Sequence, residues 1–386
     1  MTDVSILIVN FNSFGVLAGA LESLHAHPAA GPDGKPLEYE IIVVDNNSPH
    51  RPEAEVQAVR DALREGRDQL ILHDENGGYG KGMNLAYGHS SGRTLLVSNP
   101  DVLYQPHCLT RLLEPLDRDP SIGATAPLTF GDPGLESLLP TGIVPRLLDR
   151  PRLAWAAISA RGLRHYHKLR TPRYLPLWRP EENIDLEMFA GWGFLIRREL
   201  IERIGFFDER YPLYYEDTDL SLRVLQADQR IVQVKDAHLV HLYNQSGKTA
   251  PDIVTQRHDL SERLFFRRWK GPLGALVLDA TRAFLRSNFA QKRAGLPRHA
   301  QLQSTRLEGD RPMVQLASPC EDFLVEIAFD PYFYLAAACF GSGDRWSPGP
   351  VLSAHLVQDT YFRIVDLTGS APRELGVWHH DPHANR

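Results

Sequence analysis

The chain has 386 residues, with 42 Lys and Arg against 48 Asp and Glu and a formal net charge of −6. That length allows one large or two to three ordinary domains, and the negative balance excludes an electrostatic nucleic-acid binder. Three widely spaced cysteines, Cys108, Cys320 and Cys339, argue against a disulfide framework or a zinc ribbon and fit a reducing compartment.

The N-terminus, Met1-Thr2-Asp3-Val4-Ser5, lacks a basic region, and the run Ile6-Leu7-Ile8-Val9 is too short for a signal peptide. No stretch approaches the roughly 18 uncharged apolar residues of a membrane span, so a soluble cytoplasmic chain is expected. Residues 4–9, 41–44 and 95–97 are short apolar runs that read as strands, and segments 15–27, 52–65 and 80–90 between them read as helices. Such alternation predicts an α/β fold with a parallel sheet covered on both faces. Ligands of these sheets bind beyond the carboxyl ends of the strands. Those ends carry Asn10-Phe11-Asn12, Asp45-Asn46-Asn47-Ser48 and Ser98-Asn99-Pro100-Asp101, polar sets suited to a nucleotide or a metal. Turn chemistry alone explains any one of them, but not three at successive strand ends.

Between the second and third strands lies Glu75-Asn76-Gly77-Gly78-Tyr79-Gly80-Lys81-Gly82-Met83-Asn84. Lys81 is followed by Gly82 where a P-loop needs Ser or Thr, and the third glycine falls at 82 where a dinucleotide fingerprint needs 83. A glycine turn entering a helix remains suited to cradling a phosphate or ribose.

Residues 131–183 break the alternation. From 146 to 179 there are nine basic residues against one acid, Asp149, interleaved with Trp155, Tyr166, Tyr174 and Trp178. Two readings stand: a solvated insertion, or a basic amphipathic surface that meets anionic lipid or a phosphorylated acceptor. Tyr215-Glu216-Asp217-Thr218-Asp219 then packs three carboxylates at a loop-to-helix junction, since apolar residues at helical spacing follow from Leu220. A helix N-terminus favours such charge, so the acids read either as a first turn capped by Thr218 or Asp219 or as chemistry. A second basic cluster, Arg267, Arg268 and Lys270 followed by Arg282, Arg286, Lys292, Arg293 and Arg298, accompanies Gly/Pro punctuation near 271–272 and 295–297 that marks a linker. Beyond 300, six short alternating runs (313–316, 323–328, 332–338, 351–356, 361–367 and 374–378) predict a separate β-sandwich-like or barrel domain. The expected organisation is thus a domain over 1–250 containing the 131–183 insertion, a helical extension over 251–300, and a small β domain over 301–386.

Taken together, Ile8-Val9-Asn10-Phe11-Asn12, Ile42 to Ser48, Glu75 to Asn84, Ser98 to Asp101, Gly191 to Arg198, Phe206-Asp208-Glu209, Tyr215 to Leu220 and His241 resemble the family 2 glycosyltransferases. Within these inverting nucleotide-sugar transferases, the resemblance is to the rhamnosyltransferase-like branch. It runs from residue 4 to about 246 and implies the family's GT-A type fold, a nucleotide-diphospho-sugar-binding, mostly parallel sheet with helices on both faces. It implies that Asp45 accepts from the pyrimidine base with Asn10 and Asn12 nearby, and that Asn76, Gly78 and Asn84 line ribose and pyrophosphate. Asn99-Pro100-Asp101 occupies the family's Asp-x-Asp place, with Asn99 for the first Asp. Asp101 would then bind a divalent cation, Mg²⁺ or Mn²⁺, with His241 as a second ligand and His238 as its near neighbour. Asp217 takes the place of the base, Glu216 and Asp219 orient the acceptor or tune that base, and Gly191 and Trp192 form the floor of the donor and acceptor pocket. The implied reaction moves a sugar, as from dTDP-rhamnose, to a hydroxyl of a cell-surface polysaccharide or lipid-linked glycan, with peripheral contact at the inner membrane surface. The alternatives are a sugar nucleotidyltransferase, which lacks its basic Gly-rich signature near the first strand, and a catalytically silent carbohydrate-binding protein.

Overall fold

A computed structural model describes residues 2–31, 34–242, 251–294 and 302–383. The chain divides into two compact units. The first comprises 1–129, 141–144 and 181–271, and the second comprises 130–140, 145–180 and 272–386.

The first unit follows the expected alternation: β1 (Val4–Asn10), α1 (Phe14–Ala26), β2 (Tyr39–Asp45), α2 (Glu53–Ala62), β3 (Gln69–Leu72), α3 (Tyr79–Gly88) and β4 (Thr94–Ser98). All seven positions of β1 are buried, which requires cover on both faces of the sheet. Helix α1 forms because Phe14, Leu17, Leu21 and Leu24 recur at helical spacing and bury one stripe. There follow β5 (Val102–Tyr104), α4 (Cys108–Arg118) and β6 (Ile122–Phe130).

After an excursion into the second unit the chain returns as β7 (Ile184–Asp185), β8 (Gly193–Arg197), α7 (Arg198–Ile204), α8 (Glu216–Gln226) and β9 (Arg230–His241). The sheet order is β3-β2-β1-β4-β8-β6-β9-β5, with β7 on β9. The expected parallel pairing holds from β3 to β4, whereas β4–β8, β6–β8, β5–β9 and β7–β9 are antiparallel. The sheet is therefore mixed.

The second unit takes up residues 130–140 and 145–180 of the expected insertion. The excursion forms α5 (Asp149–Ile158) and α6 (Ala160–Trp178); Arg152, Arg170, Arg173 and Arg179 form ion pairs inside the unit, whereas Arg161, Arg164 and Lys168 are exposed. Arg170 is buried against Glu326, its guanidinium 4.5 Å from the Tyr174 ring centroid. Arg179 reaches Asp322 at 2.9 Å, and Arg173 and Arg152 face Asp149 at 3.6 and 3.4 Å. The stretch thus shares a core with the C-terminal sheet, because Arg170 and Arg179 meet Glu326 and Asp322, 156 and 143 positions away.

Helix α9 (Pro251–Leu285) is broken at Gly271, whose φ of 69° only glycine adopts freely, and α10 (Asn288–Ala294) follows. The punctuation at 271–272 therefore ends one helix and starts another; that at 295–297 lies outside the described residues, as do 243–250 at the end of the expected first domain. The C-terminal strands are β10 (Leu302–Ser304), β11 (Arg306–Glu308), β12 (Arg311–Ala328), β13 (Ala337–Trp346), β14 (Thr360–Asp366) and β15 (Arg373–His380). They form one sheet, ordered β10-β15-β14-β12-β11 with β13 on β12, instead of a sandwich. The expected strands at 313–316 and 323–328 are one long strand. The run 351–356 is instead α11 (Pro350–His355), since Gly349-Pro350 places a proline at the first helical position.

Candidate active site

At the β1 and β2 ends Asn10 stands opposite Asp45. Asp45 is wholly buried. Its Oδ1 accepts from Asn10 Nδ2 (2.7 Å) and Ser48 Oγ (2.5 Å), and its Oδ2 from the Ser48 N–H (3.2 Å) and Arg51 Nε (2.7 Å). The exposed group here is therefore Arg51, with about a third of its side chain accessible. Asn12, at φ 55°, donates its N–H to Ser48 Oγ at 2.8 Å.

The glycine loop is anchored by Asn76, whose Oδ1 accepts from the Gly78 N–H at 3.2 Å and from Asn46 Nδ2 at 3.3 Å. Gly78 sits at φ 91°, and a Cβ there would lie 2.6 Å from the Pro212 carbonyl oxygen. No other residue fits. Asn84 Nδ2 donates to the Phe207 carbonyl and to Glu209, each at 2.9 Å, and its Oδ1 accepts the Phe207 N–H at 3.1 Å. It pins the segment leading to α8.

Beyond β4, Asp101 and His241 meet. They are 4% exposed each, with His241 Nε2 3.2 Å from Asp101 Oδ1 and 3.3 Å from Asn99 Nδ2. The pairing of Val102 with His241 across β5 and β9 sets this geometry. His238 points away, its Nε2 3.1 Å from the Lys235 carbonyl. The Trp192 ring stacks on His241 at 5.1 Å and its Nε1 donates to Thr129 Oγ1 at 3.1 Å.

The acidic cluster occupies the first turn of α8. The cap position is Tyr215, at φ 69° and without a side-chain cap bond, so neither Thr218 nor Asp219 caps the helix. Asp217 Oδ2 accepts the Gly191 N–H at 2.9 Å, and its Oδ1 accepts the Thr218 N–H at 2.6 Å. Burial raises the Asp217 carboxyl above its ordinary range, opposed by those hydrogen bonds. Glu216 is raised further, by burial and then by the Asp217 charge, and its Oε2 has no hydrogen-bond partner among the described residues. Asp219, by contrast, is a structural node. Fully buried, it accepts from Tyr211 Oη (3.2 Å), Trp269 Nε1 (2.8 Å) and Arg223 Nε (2.9 Å) and faces Arg268 at 3.1 Å. These contacts tie α8 to the helix that carries Arg268 and Trp269.

The model of glycosyl transferase family 2 matches residues 5–205. The chain belongs to glycosyl transferase family 2. An N-acetylglucosaminyl-diphospho-decaprenol L-rhamnosyltransferase of Mycobacterium tuberculosis is 28% identical over 254 residues, covering 60% of this chain and 78% of that protein. The O-antigen biosynthesis protein RfbC of Myxococcus xanthus is 27% identical over 249 residues, 61% of this chain but 17% of that protein. Among solved structures, the Pyrobaculum calidifontis mannosyltransferase PcManGT, in complex with GDP-Man and Mn²⁺, is 17% identical with a TM-score of 0.41, covering 75% of this chain and 77% of that one.

In this family 2 glycosyltransferase, two residues that sequence reasoning passed over lie beside its acids, Tyr79 by Glu216 and Asp217 and Arg51 by Asp45. Tyr79 Oη donates to the Gly191 carbonyl at 2.8 Å, and burial, then the Glu216 and Asp217 charges, push its hydroxyl well above the ordinary range. Arg51 covers Asp45. Tyr79 stood inside the quoted glycine loop and Arg51 six residues past Asp45, but only tertiary contact shows what either touches.

Proposed function

We propose that this glycosyltransferase moves a sugar, with inversion, from a nucleotide-diphosphate donor to a hydroxyl of a glycan or lipid-linked glycan. The named activity of the mycobacterial relative supports rhamnose as the sugar and a diphospho-lipid-linked acceptor, and a cytoplasmic chain working at a membrane-held acceptor is the setting this implies. The single observation that carries the reading is Asp217: a carboxylate with accessible surface, oriented by the Gly191 N–H and raised toward neutral pH by burial. Such a group is suited to take a proton at working pH.

In this mechanism Asp217 accepts the proton of the acceptor hydroxyl as its oxygen bonds to the anomeric carbon. The bond from that carbon to the diphosphate breaks on the opposite face, and the electron pair leaves with the nucleoside diphosphate. Glu216, whose carboxyl is raised by its burial and by the Asp217 charge, resists placing a second negative charge beside the base. The Asp45–Arg51 pair, with Asn10 and Asn12, would meet the base of the donor, and the backbone of the Asn76–Gly78 turn its ribose and phosphates.

Asp101 and His241 fit a divalent cation, because a carboxylate oxygen and an imidazole nitrogen 3.2 Å apart would both serve as its ligands. The imidazole favours Mn²⁺ over Mg²⁺, which prefers oxygen ligands. When bound, the cation would offset the charge that collects on the leaving diphosphate.

The test pairs Asp217→Asn with donor binding. Transfer should fall about 10²–10⁴-fold, while stabilisation against heat by donor nucleotide and Mn²⁺ stays at the wild-type level. Near-native turnover of the variant would refute the base.

A further inference from the structure

No helix among the described residues is long and apolar enough to cross a membrane, and of the basic residues of 146–179 that suggested a lipid contact, Arg152, Arg170, Arg173 and Arg179 are paired with carboxylates inside the second unit. The same unit carries another surface with the right composition. Beyond Gly271, Leu273 is 59% exposed, Leu276 65% and Phe289 54%, with Phe284 at 38%. Leu273, Leu276, Ala280 and Ala283 are all exposed and follow one another at intervals of three, four and three, so they share one helix face. Beside them Trp155 of α5 joins Val277, Ala280 and Phe284 in an open apolar groove of about 380 Å³. The stretch 272–294 holds four basic residues, Arg282, Arg286, Lys292 and Arg293, and one acid, Asp279, in a chain whose net charge is −6.

We propose that the face formed by 272–294 and Trp155 docks on an anionic lipid bilayer. Leucine and phenylalanine at this exposure gain by entering the headgroup–acyl boundary, and the flanking cations gain from anionic headgroups. The opposite charge of the partner is what selects it. In a two-fold contact a second copy would present the same excess of positive charge, and like charges oppose that contact. The arginine that approaches Phe289, Arg293 at 4.8 Å from the ring centroid, keeps a cation at the edge of the apolar patch, where a headgroup would lie.

The surface locates the membrane contact that a lipid-linked acceptor calls for. Its test uses neither donor nor acceptor, so it stands or falls apart from the transfer reading. The full-length protein is co-sedimented with phosphatidylglycerol/phosphatidylethanolamine vesicles and with phosphatidylcholine vesicles, at low and high salt. Partitioning should be at least tenfold stronger on the anionic vesicles and weaken with salt. Leu273→Ser with Leu276→Ser should lower it about tenfold or more. Arg286→Glu with Lys292→Glu should lower it about 25-fold or more, at roughly fivefold per basic residue. All four positions are exposed, so melting temperatures should match the wild type. Three results would overturn the proposal: equal or absent binding to the two vesicle types, variants that bind like the wild type, or a dimer in solution that Leu276→Ser dissociates.

Discussion

Tyr79→Phe removes one hydroxyl and leaves the ring in its edge-on contact with Phe207, 5.8 Å between centroids. The hydroxyl's partner is the Gly191 carbonyl, and the N–H of the same residue holds Asp217. A neutral hydrogen bond contributes about 0.5–1.5 kcal/mol net, so the variant should melt a few degrees lower, at roughly 2–4 °C per kcal/mol for a unit of this size. The larger effect reaches the base. A hydrogen bond to a charged group is worth about 1.5–3 kcal/mol, or roughly one to two pKa units if lost outright; loosening Gly191 forfeits about half. Asp217 is already raised by burial, with Glu216 beside it on α8 and Tyr79 facing it from α3. Weakening the Gly191 bond raises it further, so the acid limb of the kcat–pH profile should move up by about half to one unit. Turnover on that limb should then drop roughly three- to tenfold, with donor KM unchanged. A variant with the wild-type profile and kcat would refute the role given to Tyr79. If Asp217→Asn is inactive in the same assay, that failure leaves the base assignment standing.

Gly78→Ala forces a methyl onto the Pro212 carbonyl at a φ of 91°; it should cost about 1–3 kcal/mol of stability by thermal unfolding and weaken donor binding, and an unchanged melting point would contradict the strained turn. Glu216 has its folded-state pKa raised above the ordinary 4.5, so the stability present below that value is lost as pH climbs toward the raised one. Glu216→Gln should therefore flatten the fall in melting temperature above about pH 4.5, and a variant as pH-sensitive as the wild type would show that Glu216 is ionised in the fold. In the second unit Glu326, fully buried, is the shared acceptor of Arg170 and Arg363. Burial alone would raise its pKa, but the two arginines overcome that and hold it low. Glu326→Gln should cost about 3–5 kcal/mol, whereas Asp322→Asn, at the exposed pair with Arg179, should cost under about 1 kcal/mol; similar losses in denaturant titrations would contradict the buried network.

The amino-acid sequence by itself determined what local chemistry controls. Apolar runs set β1, β2 and β4, periodicity set α1 to α3, and the polar residues after each strand marked where Asn10, Asp45 and Asp101 gather. The order of those sets was enough to place the chain in its family, because each short motif keeps its own backbone geometry wherever it folds. What only the tertiary structure decided was the partner of each side chain. Glu216, Asp217 and Asp219 read alike in sequence, yet one is buried with its carboxyl raised well above the ordinary range, one faces Gly191, and one is held by Tyr211, Arg223, Arg268 and Trp269. Arg170 read as a surface cation until Glu326, 156 positions away, gave it a reason to be inside. A charge is costly to bury without its partner and stable to bury with it, and for these residues the partner is supplied by a segment that sequence spacing does not connect.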